Sequence, residues 1–261
     1  MILSAGVYGS PAVLLRSGVG PAAHLSGLGI TVAADLPVGE RLQDQPMCVL
    51  AHGLKRDVPE EPSGGSGVVW TQSSLARDGE LDMQLSVSVQ PDADEAGAPI
   101  RTLRIWACVV TPRSTGTVRL KSADPRVTPR IDYRLLAHPD DRQRLREAML
   151  LARRIVALPP VARMITPDLN ADADETAPVQ IDQAIDRGAM TFYHGTSTVP
   201  MGGKDDPTAV VDASGRVRGI GGLRVVDASI FPETVSVPVN LTTIMLAERI
   251  ADVIRTGRFA D

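Results

Sequence analysis

His194 stands in "TFYHGTSTVPMGG" (191 to 203), a loop of small and hydroxyl-bearing residues, and is one of only four histidines in 261 residues. An imidazole titrates at about pH 6.5, so it can accept a proton under physiological conditions. Downstream, "GLRVVDASIFP" (222 to 232) is a short apolar run ending in Asp227, and Asn240 stands where a helix is expected to be capped. Strand-end carboxylates in α/β sheets face the ligand crevice, and helix N-termini offer N–H donors to negative charge. Together these residues suit a cofactor that becomes anionic during turnover, with a neutral imidazole beside it as base. A histidine on such a loop can equally be solvent-exposed and silent.

The elements that must position these groups are legible in part. "MILSAGVYGSPAVLLRSGVGP" reads as the end of a buried strand (Met1 to Leu3), a glycine-containing turn, and a helix opened by Ser10 and Pro11 and stopped at Gly18. Such a turn lets backbone amides approach a phosphate or ribose, or it merely connects. In the middle, "LDMQLSVSV" (81 to 89), "TLRIWACVV" (102 to 110) and "TGTVRLKS" (115 to 122) are strand-like neighbours joined by short turns, which favours an antiparallel sheet. Polar loops are expected at 56 to 67 and 92 to 99. One long helix is predicted over 139 to 158, with Asp140 and Asp141 at its positive end and its arginines on a solvated face. The last segment, "VNLTTIMLAERIADVIRTG", reads as a helix capped by Asn240 and ended by Gly257. A sheet-rich insert between two α/β pieces implies that 1 to 46 and 191 to 261 pack together while 47 to 190 folds separately.

Composition removes several function classes. The net charge is −4 with no basic block, which argues against a nucleic-acid partner. No apolar run is long enough to span a membrane and no signal-like segment opens the chain, so a soluble, cytoplasmic protein is expected. Cys48 and Cys108 lack metal-site spacing and read as buried thiols. Acidic residues alternate in "DLNADADETAP" (168 to 178), but the segment lacks the central glycine and terminal glutamate of a calcium loop, so no metal site is assigned. No G-x-S-x-G elbow supports a serine hydrolase.

Five stretches carry a resemblance. "ILSAGVYGSPAVLLRSGVGP" is similar to "ILSAGAxxSPxLLxxSGIGP", the second signature of the glucose–methanol–choline (GMC) flavin oxidoreductases. "LPVGERLQDQP" resembles that family's "LPVGxNLQDHP", with Gln45 where histidine is usual; "YHGTSTVPMG" resembles "HPxGTCxMG"; and "AVVDASGRVRGIGGLRVVDASIFP" and "TIMLAERIADVI" have close family counterparts. These motifs keep the family's order and bracket the whole chain. The resemblance implies the C-terminal half of an α/β plus α+β protein: a partial FAD-binding, Rossmann-like domain with an antiparallel-sheet substrate domain inserted. It implies FAD as cofactor and oxidation of a small-molecule alcohol by hydride transfer to the flavin. His194 is then the base. Gly6, His194, Asp227, Ala228 and Asn240 are then cofactor-binding residues, with Gly6 in the turn that approaches the nucleotide and Asp227 and Ala228 near the pyrophosphate and ribityl chain.

Two departures qualify this. The family's second catalytic position, His or Asn, falls on Pro238, which has no side-chain donor or acceptor. Either a local shift brings Asn240 into the catalytic role, or His194 acts alone. The dinucleotide fingerprint G-x-G-x-x-G followed by a helix is absent, so a nucleotide-binding region is expected upstream of Met1, through a truncated gene model or a separately encoded half. The alternative function is therefore a non-catalytic fragment or subunit that supplies the substrate domain to that half. Substrate, electron acceptor and oligomeric state have no signature in the sequence.

Overall fold

The computed structural model describes residues 1–59, 66–93, 97–168 and 178–257. In chain order the elements are β1 (Ile2–Leu3), α1 (Gly6–Arg16), α2 (Ala22–Gly27), β2 (Pro46–Leu54), β3 (Ser66–Thr71), β4 (Met83–Ala93), β5 (Pro99–Val109), β6 (Thr117–Arg119) and β7 (Arg130–Asp132). They continue with α3 (Pro139–Val156), α4 (Pro159–Ala162), β8 (Ile165–Asp168), α5 (Pro178–Gly188), β9 (Met190–Thr191), β10 (Arg224–Val225) and α6 (Val239–Thr256), with a 3₁₀ turn over Ala228–Ile230. Parts of the expected loops at 56 to 67 and 92 to 99, and nearly all of the acidic run at 168 to 178, lie outside the described residues.

The chain divides into two compact units. The first gathers residues 1–44, 114–135 and 193–261. Its two ends meet as parallel strands, Ile2 opposite Arg224 and Leu3 opposite Val225. Leu14, Leu15, Leu25, Val199, Val211, Val225, Ile230 and Ile250 form its core. The sequence reading placed 114 to 135 in the middle domain and is corrected here. Leu42 and Gly116 exchange backbone hydrogen bonds at 2.8 and 2.7 Å, and Val118 donates to Gly39 O at 2.8 Å. The strand expected at 115 to 122 therefore leaves the middle sheet, and β6 pairs instead with β7.

Three local expectations also change. The strand at Met1 to Leu3 was expected to be buried, yet Met1 and Ile2 are 85% and 55% exposed, because among the described residues β1 has a single strand neighbour. Helix α1 starts at Gly6, four residues before the expected Ser10 and Pro11. The reason is tertiary: a carboxylate from the far end of the chain supplies the cap. Asn240 does not cap α6. Pro238 holds the cap position with extended backbone (φ −53°, ψ 128°), leaving Asn240 exposed as the second helical residue, while Gly257 ends the helix in the left-handed region.

The second unit comprises 45–113 and 136–192. Its antiparallel sheet runs in the order β3-β4-β5-β2-β8, with β9 also on β2, and β4 and β5 form a long hairpin from Met83 opposite Val109 to Ala93 opposite Pro99. Alternate residues of β2, β4 and β5 point inward onto α3 and α5, so Cys48, Leu50, Leu85, Ile105 and Ala107 pack with Leu145, Ala148, Met149 and Ile181. Both cysteines are buried and unpaired, and burial pushes the Cys48 thiol up to about 12. Arg144 departs from the solvated face expected of α3. It is 1% exposed and lies between Asp82 (3.0 Å) and Asp141 (3.6 Å), both fully buried. Its Nε meets Asp82 off the N–H direction, so that contact is an ion pair and not an aligned hydrogen bond. The carbonyl of Thr111 accepts from Nη1 at 3.1 Å.

Candidate functional site

The site is built wholly in the first unit, around Asp227. One carboxylate oxygen accepts the Gly6 N–H at 3.0 Å and the Ser10 hydroxyl at 2.5 Å, and the other accepts the Ser229 N–H at 2.8 Å. Asp227 thus neutralises the positive end of α1 and caps the 3₁₀ turn at once. The carboxylate is 8% exposed and engaged with three protein donors, so a ligand here would meet mainly backbone. Gly6 has φ +78°, and a Cβ built on it would have nothing within 4 Å. The backbone at the start of α1 is therefore open, as an approaching anionic group requires.

Pro11 explains how the His194 loop attaches to this frame. A proline inside a helix has no N–H for the carbonyl four residues earlier, here that of Val7. The Thr198 hydroxyl donates to Val7 O at 2.7 Å and fills that vacancy. The same loop runs along the 3₁₀ turn, with Ser197, Val199 and Met201 N–H groups donating to the carbonyls of Ala228, Ser229 and Ile230 at 3.3, 2.8 and 2.9 Å. Gly195 packs directly on α1, since a Cβ there would stand 3.1 Å from Tyr8 Oη and from Val7 Cγ1.

His194 is half-buried, and its own N–H donates to Asp44 Oδ1 at 3.0 Å. Burial holds its imidazole below the ordinary value, which favours the neutral form that a base needs. Tyr193 and Ser197, on either side, adopt left-handed backbone with φ 62° and 70°. In the aligned motif Ser197 stands where glycine is usual, and its φ is one that glycine adopts without strain. Tyr8 and Tyr133 share a 2.7 Å hydroxyl contact beside this loop, and burial, then that hydrogen bond, pushes the Tyr8 phenol above its usual value.

Gly6, Asp227, Ala228 and the loop of His194 are thus joined by named hydrogen bonds. Asn240 takes no part in this network. Reasoning from the sequence missed Ser10, Gln43, Asp44 and Thr198. Two signals were available: Pro11, which demands a foreign donor for Val7, and the motif "LPVGERLQDQP", which holds Gln43 and Asp44. Gln45, where the motif usually has histidine, is buried in the second unit and donates to Val110 O at 3.0 Å. A cavity of about 660 Å³ lies elsewhere, at the starting ends of β1 and β10, lined by Met1, Arg216, Gly221, Gly222 and Ile254 and by none of the predicted site residues. Among the described residues no group of three His, Cys, Asp or Glu could hold a metal, and no helix is long and apolar enough to cross a membrane.

Two family models match, GMC oxidoreductase at residues 1–47 and GMC oxidoreductase at 112–247, the second covering more than half of the chain. The chain belongs to the GMC oxidoreductase family. Choline oxidase of Arthrobacter globiformis is 35% identical over 275 residues, covering 99% of this chain and 49% of that protein. The crystal structure of pyridoxine 4-oxidase from Mesorbium loti superposes with a TM-score of 0.83 at 28% identity, covering 97% of this chain and 51% of that one. At 22% identity the fold alone is shared with formate oxidase of Aspergillus oryzae RIB40, a protein studied for modification of its FAD, with a TM-score of 0.84 and coverage of 98% and 54%. The chain therefore spans about half the length of the relatives it matches.

Proposed function

We propose that this chain forms the C-terminal, substrate-side portion of an FAD-dependent GMC enzyme that oxidises a small-molecule alcohol, with His194 as the base. The observation that carries this reading is the network through Asp227, which draws Gly6, Ala228 and the His194 loop to one end of the β1–β10 pair. In this reading β1, α1 and β10 belong to a Rossmann-like FAD-binding domain. Gly6, Asp227, Ala228, His194 and Asn240 would hold the cofactor, with the open backbone at Gly6 as the point of close approach. When bound, FAD supplies the acceptor for the hydride that leaves the alcohol carbon. His194 takes the hydroxyl proton, and the carbonyl product forms as the C–H electron pair departs. Pro238 offers no second proton-handling group, so His194 acts alone and Asn240 contributes as a cofactor-proximal residue. The names choline oxidase and pyridoxine 4-oxidase support an alcohol as substrate class.

The reading also requires a nucleotide-binding region, on a preceding segment or a separate chain. Two observations favour it: relatives are twice as long, and Leu241, Ile244 and Met245 on α6 are 76%, 51% and 56% exposed, as is Ile2 of β1 at 55%. Uncovered apolar side chains of this kind mark an interface. The two buried free thiols suit a cytoplasmic setting. In the enzyme assembled with that region, anaerobic addition of a panel of alcohols should bleach the flavin with at least one of them. Flavin that stays oxidised throughout would overturn the assignment. The chain alone should fail to bind FAD at submicromolar concentration, and tight binding would contradict the need for a second region.

A further inference from the structure

The dipeptide Gln43-Asp44 grips the His194 loop where that loop also packs on α1. Both residues are buried, at 5% and 4% exposure. Asp44 Oδ1 accepts the His194 N–H at 3.0 Å, and its other oxygen lies 3.6 Å from where a Gly195 Cβ would stand. Gln43 pairs its backbone with Thr196 in both directions, at 3.2 and 2.9 Å. The Gln43 side-chain oxygen accepts the Thr234 N–H at 3.0 Å and the Ser197 hydroxyl at 3.4 Å. Thr234 belongs to the segment that leads to Pro238 and Asn240, so two adjacent side chains connect the loop of the base to the approach of α6.

This loop needs such a clasp. Tyr193 and Ser197 are both non-glycine residues in left-handed backbone, a conformation that persists only where the surroundings over-determine it. Asp44 and Gln43 act at 194, 196 and 197, within and at one edge of that strained stretch. Resting on the reading of His194 as base, we propose that Gln43 and Asp44 are positioning residues of the reaction: Asp44 fixes the backbone from which the imidazole projects, and Gln43 locks that loop to the segment entering α6.

Amide exchange measured by NMR on the chain itself tests the positioning directly. In Asp44→Ala the His194 amide should exchange at least about tenfold faster, the scale of a lost charge-assisted hydrogen bond. Asp44→Asn keeps an oxygen acceptor and should restore most of the protection. Gln43→Ala should accelerate the Thr234 amide in the same way, and the Val225 amide, in the core of the first unit, reports that the fold is intact. In the assembled enzyme, Asp44→Ala should lower kcat about tenfold or more with KM within about twofold, and Asp44→Asn should recover it, because misplacing a catalytic group acts on the chemical step. Unchanged exchange at His194 and Thr234, or faster exchange with unchanged kcat, overturns the inference. If Asp44→Ala does not fold, Gln43→Ala with the same two readouts decides. His194→Ala separates the two claims: a variant that keeps full turnover sinks the base assignment, whatever the amide data show.

Discussion

The imidazole of His194 is tuned by burial, and the sign of that effect sets its pH behaviour. A depressed value means that the neutral base survives to lower pH than a free imidazole would. The acid limb of kcat/KM in the assembled enzyme should therefore fall at a pH below about 6.5. Stability follows the same linkage. Below about pH 6.5 the unfolded chain binds a proton that the folded chain resists, so this contribution is complete above that value and is lost as pH falls through the folded value. Denaturation midpoints of wild type and His194→Ala, measured across that window, should converge on acidification. The Thr198 contact is a second residue-scale device. Thr198→Val leaves Val7 O without the donor that Pro11 cannot supply, at a cost of about 1 to 3 kcal/mol. Adding Pro11→Ala returns a helix N–H to that carbonyl and should recover part of the loss in urea denaturation. His194, Gly6 and Asp227 each sit in a distinctive motif, and hydrogen bonds join Gly6, Asp227 and the His194 loop. Asp44 and Gln43 also lie in a quoted motif, "LPVGERLQDQP", but the contacts they make 150 and 191 residues away along the chain could not be read from it.

Elements whose limits depend on local chemistry were legible, and those set by tertiary contact were not. Gly257 ends α6 as expected because left-handed backbone is glycine's own preference. The starts of α1 and α6 were misplaced: Asp227 caps the first from 221 residues away, and Pro238 takes the cap position of the second. The strands of the β4–β5 hairpin could be read from the alternation at 81 to 89 and the apolar run at 102 to 110, whereas β6 was assigned to the wrong sheet, because strand patterning does not name its partner. Helix α3 hides the largest departure. Its arginines read as solvent-facing, yet Arg144 is buried between two carboxylates that would otherwise be uncompensated charges. Arg144→Met should destabilise the second unit by about 3 to 5 kcal/mol, because Asp82 and Asp141 lose their cation. Guanidinium denaturation followed by Trp fluorescence measures this, as both Trp70 and Trp106 lie in that unit's sheet. A loss under about 1 kcal/mol would show that the carboxylates are adequately held by their other donors.

At the scale of the molecule, residues from both ends of the chain meet in one unit, and the sheet-rich middle forms another. The sequence offered a strand-turn-helix at the start, and a strand, turn and helix at the end. What the sequence reading misplaced was the segment 114–135, whose close approach to residues 39–42 of the first unit Gly39 permits. Any Cβ there would stand 2.2 Å from Val118 O, so only glycine allows that close approach without displacing backbone. In the proposed function, the β1–β10 pair and the exposed apolar residues of α6 are the surfaces that a nucleotide-binding region would cover. The proposed oxidation requires the two terminal pieces to close around one flavin with a single imidazole as proton acceptor. The direct measurement is the rate of anaerobic flavin reduction by alcohol in the assembled enzyme, wild type against His194→Ala. A fall of roughly 10²-fold or more, with FAD content unchanged, is the expected result; equal rates in the two proteins would contradict it.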